Sequence, residues 1–140
     1  MSDFVVDASV AIKWFVDEHD SAQAGGLLRH SLAAPDLLAP ECASILWKKV
    51  TRADLSLEEA EVITLALEGA AITLHPTRPY IVSTPRIACD LGRAAYDCFY
   101  LALADRLRQP LVTANMRLVH AVRTSRFARL VVPLSELGAD

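Results

Sequence analysis

The chain has 140 residues, 53% of them hydrophobic and 22% charged, which suffices for one compact core and is too little for two domains. Seventeen acidic against fourteen basic side chains leave a net charge of -3, so no overall positive field draws the molecule to nucleic acid, and a polyanionic partner needs local basic patches or a bound cation. Cys42, Cys89 and Cys98 are odd in number and form no Cys-x-x-Cys pair, which argues against a disulfide framework or a zinc knuckle and leaves them as expected reduced core thiols.

In chain order, Phe4-Val5-Val6 predicts a short strand, and apolar residues at helical spacing predict a helix over 9–16. Leu37-Leu38-Ala39 is the expected second strand, with Pro40 opening a helix over 41–51 that buries Ile45, Leu46 and Val50. Ser56-Leu57-Glu58-Glu59 has the form of a capping box, and the helix it starts is expected to stop at Gly69. Ile72-Thr73-Leu74 reads as a strand, and residues 85–94 and 96–108 as helices, the second with Phe99, Tyr100, Leu103 and Leu107 on its apolar side. Beyond Pro110 come a strand over 111–113, a helix over 115–122 and a last strand over 130–132. Strands alternating with helices predict a three-layer α/β fold, a central mostly parallel sheet flanked by helices, as a single domain over 1–140. Charges interrupt each apolar run short of membrane-spanning length, and Met1-Ser2-Asp3 carries no basic segment ahead of one, so a cytoplasmic chain with no membrane partner is expected.

Ligands of parallel α/β sheets gather beyond the carboxyl ends of the strands. Asp7 falls there, after the first strand; Glu41 follows the second, Asn115 follows the strand over 111–113, and Asp97 stands in the first turn of an apolar helix. Singly, each is a good helix cap or dipole partner. Asp97 fits that reading least, because Tyr96, Phe99 and Tyr100 surround it and no Lys or Arg follows within two turns. Carboxylates converging within about 4 Å repel by roughly 4 kcal/mol per pair at an effective dielectric near 20, and a divalent cation reverses that sign. Oxygen ligands without His or Cys suit Mg²⁺, or Mn²⁺, either of which can activate a water or clamp a phosphate.

The segments VVDASVAIKWF with Asp7, LLAPECASILW with Glu41, AAYDCFYLALA with Asp97, and LVTANMRL with Thr113 and Asn115 together resemble the PIN-domain family, specifically its VapC-type toxin ribonucleases. The resemblance runs from Val5 to about Val132. It implies the toxin component of a type II toxin–antitoxin system: a Mg²⁺-dependent endoribonuclease with an RNA substrate, a cognate VapB-type antitoxin and a homodimeric state. It also implies Asp7 and Asp97 as metal ligands, Glu41 as a third catalytic acid, Thr113 as a neighbouring oxygen, and Ser9 as a residue that helps position water. Many relatives carry Asp where this chain has Asn115, so this site has one negative charge fewer, and one metal ion or two is left open. The same substitution motivates an alternative, a PIN-fold module that pairs with an antitoxin without turnover. A dehalogenase-like phosphatase using Asp7 as nucleophile would need a second acid where Ser9 stands.

His19, His30, His75 and His120 show no metal-ligand spacing and read as surface residues. Asp17, Glu18 and Asp20 read as an exposed acidic turn, and Asp105 as a solvated partner of Arg106 or Arg108. Trp14 and Trp47 are core or dimer-contact candidates which, with Phe15 and Leu46, could line an antitoxin groove. Lys48, Lys49 and Arg52 form one basic cluster; Arg117, Arg123, Arg126 and Arg129 form another, from which Arg117 and Arg123 are candidate RNA contacts.

Overall fold

A computed structural model describes residues 3–138. At its centre lies β1 (Phe4–Val6), whose Val5 and Val6 are fully buried and belong to different cores, one on each side of the sheet. A strand covered on both faces needs consecutive apolar residues, hence the unbroken run that opens the sequence. β2 (Leu32–Pro35) and β4 (Leu111–Thr113) flank β1, β3 (Ile72–His75) and β5 (Val131–Pro133) form the edges, and the order is β3-β2-β1-β4-β5 with every pairing parallel.

The α-helices among the described residues are α1 (Ala8–Ala11), α2 (Ser21–Gly26), α3 (Leu38–Thr51), α4 (Leu57–Glu68), α5 (Thr84–Leu91), α6 (Ala95–Leu107) and α7 (Met116–Val122). Val6, Leu32 and Val112 pack with Ala24 and Leu27 on one face; Val5, Ala33 and Leu111 pack with the apolar sides of α3, α4, α6 and α7 on the other. The expected three-layer α/β fold is present, and the sheet is parallel throughout. Among the described residues no helix is long and apolar enough to cross a membrane.

The expected second strand is displaced. Leu37 has helical angles and Leu38 is the first residue of α3, while the strand is formed by Leu32-Ala33-Ala34-Pro35. Alanine is a poor strand former in isolation, but a central strand under the closely packed α6 has room only for small side chains, and Ala33 and Ala34 are fully buried there. Pro40 sits in the first turn of α3, where its missing N–H has no helical partner to lose. The helix expected over 9–16 shortens to α1, followed by a 3₁₀ turn over Ile12–Trp14. α2, SAQAGG, lacks the apolar period that would announce it; Trp14 Nε1–H donates to the Ala24 carbonyl at 2.8 Å and pins it. The capping box of α4 is formed, Ser56 Oγ accepting from Glu59 N–H at 3.0 Å and Glu59 Oε1 from Ser56 N–H at 2.9 Å.

Other surface expectations change in detail. Cys42 and Cys98 are buried, but Cys89 is exposed, lying on the outward side of α5. Trp47 is 63% exposed, Trp14 is half-buried and Leu46 points into the core, so the three differ in exposure; an apolar groove of about 390 Å³ runs between α3, α4 and β3, past Ala39, Ala43, Thr64 and Leu67. Asp105 pairs with Arg126 at 3.4 Å, across the chain from the arginines beside it. Asp20 is buried, with Oδ1 2.8 Å from Lys13 Nζ, which ties the end of the first helical segment to the start of α2.

Both partners of that ion pair are shielded, so removing one strands the other charge. Lys13→Met is expected to cost about 3 kcal/mol in urea unfolding, and Lys13→Met with Asp20→Leu to recover most of it.

Candidate active site

Because the five strands are parallel, their carboxyl ends share one edge. Register does the rest for the first contact: Val6 pairs with Val112, which brings Asp7 and Thr113 side by side at the ends of β1 and β4. Thr113 Oγ1–H donates to Asp7 Oδ2 at 2.5 Å, and Ser9 Oγ–H donates to Asp7 Oδ1 at 2.5 Å. Each hydroxyl is itself oriented by a backbone donor, Ala114 N–H onto Ser9 Oγ and Asn115 N–H onto Thr113 Oγ1, both at 3.0 Å. Asp7 also caps α1, accepting from Val10 N–H at 3.3 Å. A cap and a buried charge are therefore combined in one carboxylate.

Asp97 occupies the first turn of α6 and Glu41 the first turn of α3, both half-buried. Burial raises the Asp7 pKa to about 6, with the Asp97 charge adding to it against the lowering effect of Ser9 and Thr113. Glu41 is raised by burial and again by Asp97. The Asp97 charge thus acts on both of the other acids. Tyr100 O–H donates to Glu41 Oε1 at 2.6 Å, and burial together with the Glu41 charge holds that phenol protonated as a permanent donor. Arg93 donates Nη2–H and Nε–H to Asp97 Oδ2 at 2.9 and 3.2 Å. Gly92, left-handed at φ 65, ends α5 and turns the chain so that Arg93 precedes α6. The thiols of Cys42 and Cys98, pushed by burial up to about 12 and about 11, stay protonated and are no nucleophiles.

Asn115 has a different place from the acids. It caps α7, its Oδ1 accepting from Arg117 N–H at 3.1 Å and Leu118 N–H at 3.3 Å. Arg117 and Arg123 are exposed on and just beyond α7, and neither forms an ion pair among the described residues. Beside Glu41 a depression of about 410 Å³ is bordered by Ser44, Lys48 and Tyr96, the last 60% exposed.

Two participants escaped the sequence reading. Tyr100, counted as apolar surface of α6, stands one turn after Asp97 and carries a hydroxyl that a buried site must satisfy. Arg93 lies one turn before Asp97, on the side that a search for a following cation does not cover.

The donor set of Asp7, Asp97 and Glu41 is hard oxygen throughout and carries excess negative charge, which fits Mg²⁺ or Mn²⁺. Among the described residues no three His, Cys, Asp or Glu side chains form a ready-made cage. Mg²⁺ requires none, since one or two carboxylates and several waters commonly hold it.

The PIN domain family matches residues 4–123. The chain belongs to the PIN domain family. It is 31% identical over 133 residues to Ribonuclease VapC3 of Pyrobaculum aerophilum, covering 92% of this chain and 98% of that one. Against Ribonuclease VapC1 of Mycobacterium tuberculosis the identity is 32% over 124 residues, covering 86% and 92%. The crystal structure of PAE2754 from Pyrobaculum aerophilum superposes with a TM-score of 0.72 at 20% identity, over 95% of this chain and 84% of that one, a likeness of fold.

Because the folded pKa of Asp7 exceeds its unfolded value, ionised Asp7 costs the metal-free protein stability above pH 6, and the cost fades as pH falls towards 3.8. It amounts to about 3 kcal/mol at pH 8. Asp7→Asn is expected to raise the melting temperature of the metal-free protein at pH 8 and leave it nearly unchanged at pH 4, as followed by circular dichroism.

Proposed function

We propose that the protein is a metal-dependent endoribonuclease, the toxin of a type II toxin–antitoxin system, that hydrolyses RNA phosphodiester bonds. The observation that carries the reading is the buried Asp7 carboxylate at the carboxyl end of β1, held by Ser9 and Thr113, with Asp97 and Glu41 in the first turns of α6 and α3. Its relatives named ribonucleases share most of its length, which supports the same substrate class.

Asp7 and Asp97 are the residues to hold Mg²⁺ or Mn²⁺. When bound, such an ion stabilises charge developing on a phosphodiester and makes water more acidic. Ser9 and Thr113 hold both oxygens of Asp7 in one orientation, so little rearrangement accompanies binding. Glu41, fixed by Tyr100 and raised by burial, is suited to take a proton from the attacking water. Asn115 serves through its cap, which keeps the β4 to α7 turn, and with it Thr113, in place. Arg117 and Arg123 on one side, and Lys48 with the exposed ring of Tyr96 on the other, offer phosphate and base contacts to a single strand.

A cytoplasmic homodimer paired with a VapB-type antitoxin completes the proposal. The apolar groove between α3, α4 and β3 suits an apolar antitoxin segment. The alternative reading, a module that binds antitoxin without turnover, draws on one observation: the Asn115 oxygen is committed to two backbone donors.

Purified protein is expected to cut single-stranded RNA with Mg²⁺ or Mn²⁺ and to lose at least about a hundredfold in rate as Asp7→Asn or Asp97→Asn. Tyr100→Phe should lose about tenfold with its fold intact. Undiminished cleavage by both acid variants rejects the assignment. Activity that arises only in Asn115→Asp, an equally good cap, selects the binding module.

A further inference from the structure

Asp97, in the first turn of α6, acts electrostatically on Asp7 at the end of β1 and on Glu41 in the first turn of α3, and among the described residues Asp97 forms its ion pair with Arg93. The guanidinium is bound unevenly. Nε–H and Nη2–H both go to Oδ2, while among the described residues Oδ1 of Asp97 accepts no hydrogen bond and Nη1 has no partner. Asp97 therefore keeps an oxygen for a cation while Arg93 holds the other, and Arg93 keeps an unused donor edge. Its side chain is 23% exposed, so that edge is within reach of solvent. An RNA strand entering this cleft meets three carboxylates, and its phosphate needs a cation that the acids do not consume.

We propose, resting on the ribonuclease reading, that Arg93 is the residue that clamps the scissile phosphate, its forked guanidinium turning from Asp97 to the RNA when a divalent cation takes up the Asp97 charge. The planar fork matches phosphate oxygens two at a time, which a lysine cannot do. A purely structural Arg93 would instead only orient Asp97, and its loss would weaken metal binding.

The two roles separate by experiment. Arg93→Gln and Arg93→Lys are compared with the native protein by Mn²⁺ calorimetry and by fluorescence anisotropy of a short single-stranded RNA, with Ca²⁺ present to keep the RNA intact, over a range of salt. Arg93→Gln is expected to bind Mn²⁺ at least as tightly as the native protein, to bind RNA about tenfold more weakly, and to lower the slope of log affinity against log salt by about 0.7, the contribution of one single-strand phosphate contact. Arg93→Lys should restore the slope and only part of the affinity. Unchanged RNA affinity and slope, or Mn²⁺ binding weakened tenfold, overturns the clamp, whether or not native protein cuts RNA. Native protein that takes up Mn²⁺ yet neither binds nor cuts RNA defeats the ribonuclease reading and the clamp with it.

Discussion

A carboxylate buried at the end of the central strand is the constraint to which the rest of the site responds. Asp7 has lost nearly all its water, and its ionised form is tolerable only because every oxygen has donors: two hydroxyls, each steadied by a backbone N–H, and the first turn of α1. Those donors lower its pKa, yet desolvation and Asp97 outweigh them. The residual imbalance keeps the ionised carboxylate costly.

The sheet makes this arrangement possible. Parallel pairing of β1 with β4 is what sets Thr113 beside Asp7, although 106 residues separate them. Small residues matter as much as polar ones here. The small, fully buried residues Ala33 and Ala34 keep β2 thin where α6 packs on it, and Tyr100 of α6 reaches Glu41. Bulkier side chains on β2 would lift α6 and pull the acids apart without touching any of them.

Charge balance links this PIN domain to its two unforeseen residues. With Asn115 neutral and engaged as a cap, the acids number three, and Arg93 offsets one. Tyr100 acts on the opposite side, holding Glu41 by a donor that cannot ionise under ordinary conditions. The cleft is thus tuned by neighbours of opposite character, a cation that withdraws negative charge and a phenol that fixes its position.

Much of this was legible in the residues themselves. Hydrophobic run lengths, the Ser56 capping box and the alternation of strand and helix reflect local physics, since capping and periodicity involve residues three or four apart. The edge that holds Asp7 followed from parallel topology. What the tertiary structure decided were properties of partners distant in sequence or defined by burial: that Leu32-Ala33-Ala34-Pro35 rather than Leu37-Leu38-Ala39 is the strand, that Asp20 is buried against Lys13, that Cys89 is outside, and that Arg93 and Tyr100 hold the acids. Weak local preference yields to packing in the first case, and in the others the energy of a charge depends on what surrounds it in space, which no run of adjacent residues encodes.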